Sequence, residues 1–266
     1  MTTMADGDAR PALRTDVNAF VGAYPFRHVP HPDPETLLRV MDREGIDRAW
    51  VGSLPAVWHR DPSAANTELL KLLQPYGQRL RAAPAIRPDW PDWCDQLHAM
   101  AGQGVAAIRA YPPQWGLGPD DAALKELAGA CAECDLPLIL TVKFEDLRQR
   151  HPLDGAGDLQ PAAVRQLARA RTGVRLIVTA ASRDFIDEVY GGLTPDECRQ
   201  VYWDISWIWG PPEDHLAHLL RHIGASQLLY GTMWPLRLTQ VPRANLALLP
   251  DDLRGTPLAD VSSWGD

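Results

Sequence analysis

The chain has no apolar run approaching the roughly 20 residues that a helical membrane span requires, which excludes that class of protein. Basic residues are the minority: 26 Lys and Arg stand against 34 Asp and Glu, a formal net charge of -8, and no basic run exceeds two residues. Nucleic acids and anionic bilayers are gripped by clusters of Lys and Arg, so neither is expected as a partner. Cysteine is scarce, with four in 266 residues, which argues against a disulfide scaffold and for a reducing compartment. Cys131-Ala-Glu-Cys134 has C-x-x-C spacing, but it ends an amphipathic pattern where cysteine reads as a small core residue. Neither Cys94 nor Cys198 supplies a second pair at zinc-site spacing. No apolar core of a signal peptide appears in Met1 to Ala12. Residues 1–13 are therefore read as a loose tail, and cytoplasm is the expected location.

What is present is a strict alternation. Apolar residues make up 45% of the chain, ample for one large core. Short β-rich runs and longer helical patterns follow one another about every 30 residues, the signature of parallel α/β architecture. Strands are predicted over 15–20, 48–53, 80–86, 105–110, 136–142, 174–179, 201–206 and 227–231. Helical patterns lie between them, the first opened by Asp33-Pro34-Glu35, an N-cap followed by proline. Residues 143–159 form a polar insertion. Eight strand-helix units without a composition break point to one (β/α)8 TIM barrel over residues 14–250, with 251–266 as a C-terminal tail. A doubly wound sheet is the alternative, but no G-x-G-x-x-G follows the first strand. The pattern weakens after Leu249, so closure at the C-terminus is expected to be irregular or to lean on a second subunit, a homo-oligomer.

Six segments carry a family likeness: Asp16-Val-Asn-Ala-Phe-Val-Gly22, Gly104-Val-Ala-Ala-Ile-Arg-Ala-Tyr111, Leu136-Pro-Leu-Ile-Leu-Thr141, Val174-Arg-Leu-Ile-Val-Thr179, Val201-Tyr-Trp-Asp-Ile-Ser206 and Leu229-Tyr-Gly-Thr-Met-Trp-Pro235. In this order the chain resembles the amidohydrolase superfamily, in its amidohydrolase-related branch of TIM-barrel hydrolases and decarboxylases, and a divergent subgroup within it. The resemblance implies a divalent metal held by two histidines of strand one, a histidine ending strand five and an aspartate ending strand eight, with a strand-six histidine assisting. The matching positions here are Asn18, Phe20, Thr141, Met233, and Thr179 or Ala180. A catalytic Zn²⁺ generally takes three ligands from His, Cys, Asp or Glu. No metal and no other cofactor is therefore expected. His28, His31 and His59 with Asp204 would be a relocated cage, but they show no ligand spacing.

TIM-barrel chemistry sits at the C-terminal ends of the strands, and the polar residues there are the candidates. Lys143, Glu145, Asp204 and His151 are candidate catalytic groups: a desolvated lysine as base or Schiff-base former, and Glu145 or Asp146 with His151 as an acid/base pair. Asn18, Arg27, His59, Arg87, Arg109, Tyr111, Thr232 and Trp234 are candidate substrate contacts. Alternation puts Ala107, Arg109 and Tyr111 on one strand face. If that face lines the barrel, Arg109 needs a partner, either Asp204 or a ligand. Arg148 and Arg237 read as loop arginines paired with neighbouring acids. Trp58, Trp115, Trp203, Trp207, Trp209 and Trp234 wall a pocket or fill core. Guanidinium forks match carboxylates, so the expected partner is a small anionic molecule. Three readings stay open: a hydrolase, decarboxylase or lactonase working on a small carboxylated molecule without the family metal; a non-catalytic barrel, a pseudoenzyme, that binds a small molecule or a protein; and a metal enzyme with relocated ligands.

Overall fold

The computed structural model describes residues 13–264; the expected N-terminal tail, but for Leu13, lies outside them. Eight parallel strands alternate with helices: β1 (Thr15–Val21), β2 (Arg48–Ser53), β3 (Leu80–Ala82), β4 (Ile108–Ala110), β5 (Leu138–Thr141), β6 (Leu176–Thr179), β7 (Val201–Asp204) and β8 (Leu228–Leu229). They pair in chain order, β1-β2-β3 and β4-β5-β6-β7-β8. Consecutive order without a reversal is that of a (β/α)8 barrel and not of a doubly wound sheet.

The two ladders meet at seams made of single hydrogen bonds. On one side the Ala106 N–H donates to the Ala82 carbonyl, Arg109 N–H to Pro84, and Ile86 N–H to Arg109. On the other, Val17 N–H donates to Tyr230, Met233 N–H to Asn18 and Phe20 N–H to Trp234. β3 is shorter than the predicted 80–86 because Pro84 has no N–H to give the ladder; a lone bridge, Ala85 to Arg109, carries the pairing on. β8 is likewise two residues long, and Gln227 belongs to a 3-10 turn.

Local chemistry sets the helix ends. Asp33 caps the helix Pro34–Glu44 by accepting from the Thr36 N–H, and Gly45 ends it at φ 67 in the left-handed region, where a residue without Cβ pays no steric penalty. Pro161 opens the helix Pro161–Ala170. The run Pro112–Trp115 is a short helix. All four cysteines are free, with Cys131 buried. No helix among the described residues is long and apolar enough to cross a membrane.

Most apolar side chains pack between strands and helices. A second cluster fills the barrel: Val17, Trp50, Ala83, Ala106, Ala107, Ile139, Ile177 and Leu229. It is closed from below by the segment read as a C-terminal tail. Ala259 N–H donates to the Leu228 carbonyl, Val261 joins the cluster, and the Trp264 ring lies 4.8 Å from Tyr202 and 6.4 Å from Trp50. This floor covers the N-terminal end of the barrel.

Candidate active site at the barrel mouth

Two residues beyond the floor, the same strand faces carry polar groups. Ile139 leads to Thr141, Ile177 to Thr179, Tyr202 to Asp204 and Ala107 to Arg109. β1 reaches this level differently. Its ladder with β2 slips between Asp16 and Ala19, and such a bulge allows the consecutive residues Val17 and Asn18 both to face inward.

Asn18 is the hub. Its Nδ2 donates to Asp204 Oδ2 at 2.9 Å, and its Oδ1 accepts from Arg109 NH1 at 3.3 Å. Arg109 NH2 donates to the Val17 carbonyl at 3.1 Å, and the guanidinium stands 4.5 Å from the Phe20 ring centre. Asp204 Oδ1 accepts from the Ala180 N–H at 2.7 Å. Arg109 and Asp204, weighed as direct partners, are thus linked through Asn18. Two glycines make the room. A Cβ on Gly52 would lie 2.9 Å from Arg109 Nε, and one on Gly231 only 2.4 Å from Asp204 Oδ2.

Asn18, Arg109 and Asp204 are all fully buried. Burial pushes the Asp204 carboxyl up, against hydrogen bonds from Ser206, Ala180 and Asn18, and pushes the Arg109 guanidinium down. Tyr111, buried beside Arg109, is raised to about 12 by desolvation. Asp16 is also fully buried: Oδ1 accepts from the Asn18 and Thr232 N–H groups at 2.9 and 3.0 Å, and Oδ2 from the Thr232 hydroxyl at 2.5 Å. Desolvation outweighs these bonds and lifts its pKa to about 6.

The places at which the family resemblance implies metal ligands are engaged with other protein groups. Phe20 lies under Arg109, Thr141 and Thr179 share a hydrogen bond of 3.1 Å, and Met233 Sδ accepts from Trp207 Nε1 at 2.9 Å. A phenyl ring, a thioether, two hydroxyls and an amide do not suit a hard divalent ion. A buried guanidinium at the centre would also repel one. Among the described residues, no three of His, Cys, Asp or Glu come together as a metal site. These residues therefore do not fit a divalent cation.

The rim is less uniform. Arg27 donates to Glu145 at 2.6 Å and to the Leu236 carbonyl at 2.8 Å, tying the loop after β1 to those after β5 and β8. Glu145 is therefore joined to Arg27 and not to His151, whose ring stacks on Phe26 at 5.7 Å and whose Nδ1 lies 3.2 Å from the Leu153 N–H. Arg87 is held by a fork to Asp89 at 2.8 and 2.9 Å. His59 is exposed, as are His28 and His31. Trp234 and Thr232 are buried, the latter serving Asp16. Trp58, Trp115, Trp203 and Trp207 pack into the core while Trp209 is half exposed.

Arg148 pairs with Asp146 as expected, at 2.8 Å. Arg237 does not follow the expectation. It has no acid within ion-pair distance among the described residues, and its Nε is buried without a partner. Its guanidinium lies 4.0 Å from the Trp207 ring centre, and Lys143 Nζ lies 4.5 Å from the same centre. Both cations are half-buried, and desolvation lowers both pKa values. Asp16, Gly52 and Gly231 did not stand out in the sequence as site residues, and Arg237 was expected to be a paired loop arginine. Asp16 alone left a trace, as a carboxylate inside an otherwise apolar strand.

No family model matches the sequence, and no curated protein is significantly similar to it. Solved structures do share the fold. A dihydroxybenzoic acid decarboxylase from Polaromonas sp. JS666, solved with manganese and the inhibitor 2-nitroresorcinol, is 14% identical, with a TM-score of 0.66 over 96% of this chain and 94% of that one. The 5-carboxyvanillate decarboxylase of Sphingomonas paucimobilis is 12% identical, with a TM-score of 0.60 over 92% and 97%. An amidohydrolase from Mycobacterium avium subsp. paratuberculosis is 17% identical, with a TM-score of 0.61 over 87% and 74%. At these identities the likeness is one of fold: the TIM barrel of amidohydrolases and their decarboxylase relatives.

Proposed function

We propose that the chain is an amidohydrolase-related enzyme that hydrolyses or decarboxylates a small carboxylated molecule, or opens its lactone, at the barrel mouth and without the family's divalent cation. The observation that carries this reading is the buried Asn18, Arg109 and Asp204 network at the C-terminal ends of β1, β4 and β7. It stands where TIM barrels keep their chemistry, and it offers a carboxyl group whose pKa is raised toward the working range. Asp204 is the proton-transfer group, Asn18 and Arg109 hold its orientation, and Lys143, lowered by burial, is a second group able to take up or release a proton. Paired groups pushed out of their ordinary ranges mark acid and base assignments. The fold's decarboxylase and amidohydrolase relatives support the reaction class, and the cytoplasm is the compartment that four free cysteines suit.

One observation favours a second reading, binding without turnover. Asn18, Phe20, Arg109, Tyr111, Asp204 and Met233 are all fully buried, so a ligand meets the rim before it meets Asp204. The two readings part in one experiment. The purified full chain is offered benzoates, pyrone carboxylates and lactones, and release of CO₂ or acid is followed for the wild type and Asp204→Asn. Turnover that is lost in Asp204→Asn upholds the enzyme; saturable binding without turnover upholds the binder; turnover unchanged in the variant removes Asp204 from the reaction.

A further inference from the structure

The rim carries charge that the protein leaves unanswered. Near Lys143 and Arg237, each acid already has an arginine. Glu145 is bound by Arg27, Asp146 by Arg148, and Asp154 and Asp158 by Arg150. Asp204, the remaining carboxyl near Arg237, accepts from Asn18 and Ala180 below the rim. Lys143 and Arg237 are left with the ring of one indole, Trp207, at 4.5 and 4.0 Å from its centre. An indole face attracts a cation, but it cannot replace a hydrogen-bond acceptor for an ammonium and a guanidinium. Most other arginines of this acidic chain find a carboxylate or carbonyl. Two half-buried cations with idle donors beside the same indole ring at a barrel mouth make an anion receptor, since charge-assisted bonds to an oxyanion strengthen as water is withdrawn.

We infer that Lys143 and Arg237, steadied by Trp207, form an oxyanion clamp that receives the carboxylate or phosphate of a small ligand at the rim. The inference rests on the mouth being the ligand site, as in the reading above, but not on turnover. Lys143 supplies a compact point charge and Arg237 a planar fork. Trp207 is buried and pinned by its own bond to Met233, so the clamp is preorganised on a rigid wall. Ligand binding would draw Lys143 back toward its ordinary protonation range, because the anion restores the charge balance that burial removed.

The test uses the full chain and tryptophan emission, with benzoate and inorganic phosphate as probes and benzamide as the uncharged analogue of benzoate. The expected result is saturable quenching by benzoate, phosphate or both, none by benzamide, and affinity weakened about tenfold or more in Lys143→Met and in Arg237→Met. Lys143→Gln and Arg237→Gln, which keep side-chain polarity, are expected to weaken it as well; circular dichroism checks that all four are folded. Benzoate alone identifies a carboxylate site, and phosphate alone a phosphate site. Benzamide binding as well as benzoate, affinities unchanged in the folded variants, or no saturable quenching by either anion would each overturn the clamp. The outcomes separate from those above. Anion binding that depends on both residues, without turnover, leaves the clamp and removes the enzyme. Turnover indifferent to both substitutions does the reverse.

Discussion

Arg109→Met is the perturbation that asks most of the interior network. Arg109 is fully buried, and its NH1 and NH2 satisfy Asn18 Oδ1 and the Val17 carbonyl. Methionine fills much of the volume but donates nothing. Two buried acceptors lose a partner, at about 1 kcal/mol or more each. The cation over the Phe20 ring is lost as well, about 2 kcal/mol where desolvated. Against this, the cost of burying the guanidinium disappears. A net loss of about 2–4 kcal/mol at pH 8 is expected. The pH dependence is the sharper test. Arg109 holds the Asp204 carboxyl down against burial, so in the variant that carboxyl rises further. A raised carboxyl favours the folded state while protonated and loses that advantage as pH rises through its folded pKa. The gap between variant and wild type therefore widens from pH 5 to pH 8. Urea unfolding at the two pH values measures it. Arg109→Met/Asp204→Asn, which removes both charges, should cost less than the sum of the single variants, with a coupling of about 1 kcal/mol or more. Equal gaps at both pH values together with additive single variants would refute the linkage through Asn18.

Two further outcomes follow from the same physics. Asp16, with a folded pKa of about 6 against an ordinary 3.8, binds its proton more tightly in the folded chain; its contribution is full below about pH 4 and falls by about 3 kcal/mol in all as pH rises through 6 to about 7. In Asp16→Asn that fall is absent, so urea unfolding from pH 4 to 7 should show the wild type losing stability relative to the variant; a constant difference would contradict it. Trp264→Ala opens the barrel floor beneath Trp50 and Tyr202, and thermal unfolding should show a loss of about 2–4 kcal/mol, reduced because Trp264 is partly exposed; a loss under about 0.5 kcal/mol would mean the segment after Pro257 is not seated as described.

Much of this was readable in the sequence because it depends on local periodicity. The alternation in β4 places Ala107, Arg109 and Tyr111 inward without any knowledge of the rest of the chain. Asp33-Pro34 marks a helix start, and Pro161 another, because capping and missing N–H groups are properties of single residues. At the mouth, the chemistry of Phe20 and Met233 was readable residue by residue, since neither has a hard donor in any conformation. What was not legible depends on long-range geometry. The slip between Asp16 and Ala19 that turns Asn18 inward has no marker in the residues. Gly52 and Gly231 look like ordinary strand glycines until Arg109 and Asp204, 57 and 27 residues away, lean into their space. Arg237 was expected to find an acid because acids abound in the loops; the loop acids pair with other arginines, and Asp204 is held by Asn18 and Ala180. The floor built from Ala259, Val261 and Trp264 follows an irregular segment, which periodicity does not describe.

A hydrogen-bonded guanidinium, amide and carboxyl stand at the barrel mouth, where the family resemblance implies a cation. Isothermal titration of the chelator-treated full chain with Zn²⁺ and Mn²⁺, run alongside Arg109→Met, tests this most directly. The account predicts no stoichiometric binding in the wild type and none gained by Arg109→Met, since Asn18, Phe20, Thr141 and Met233 remain poor donors. One ion bound per chain at micromolar affinity, and lost in Asp204→Asn, would contradict it.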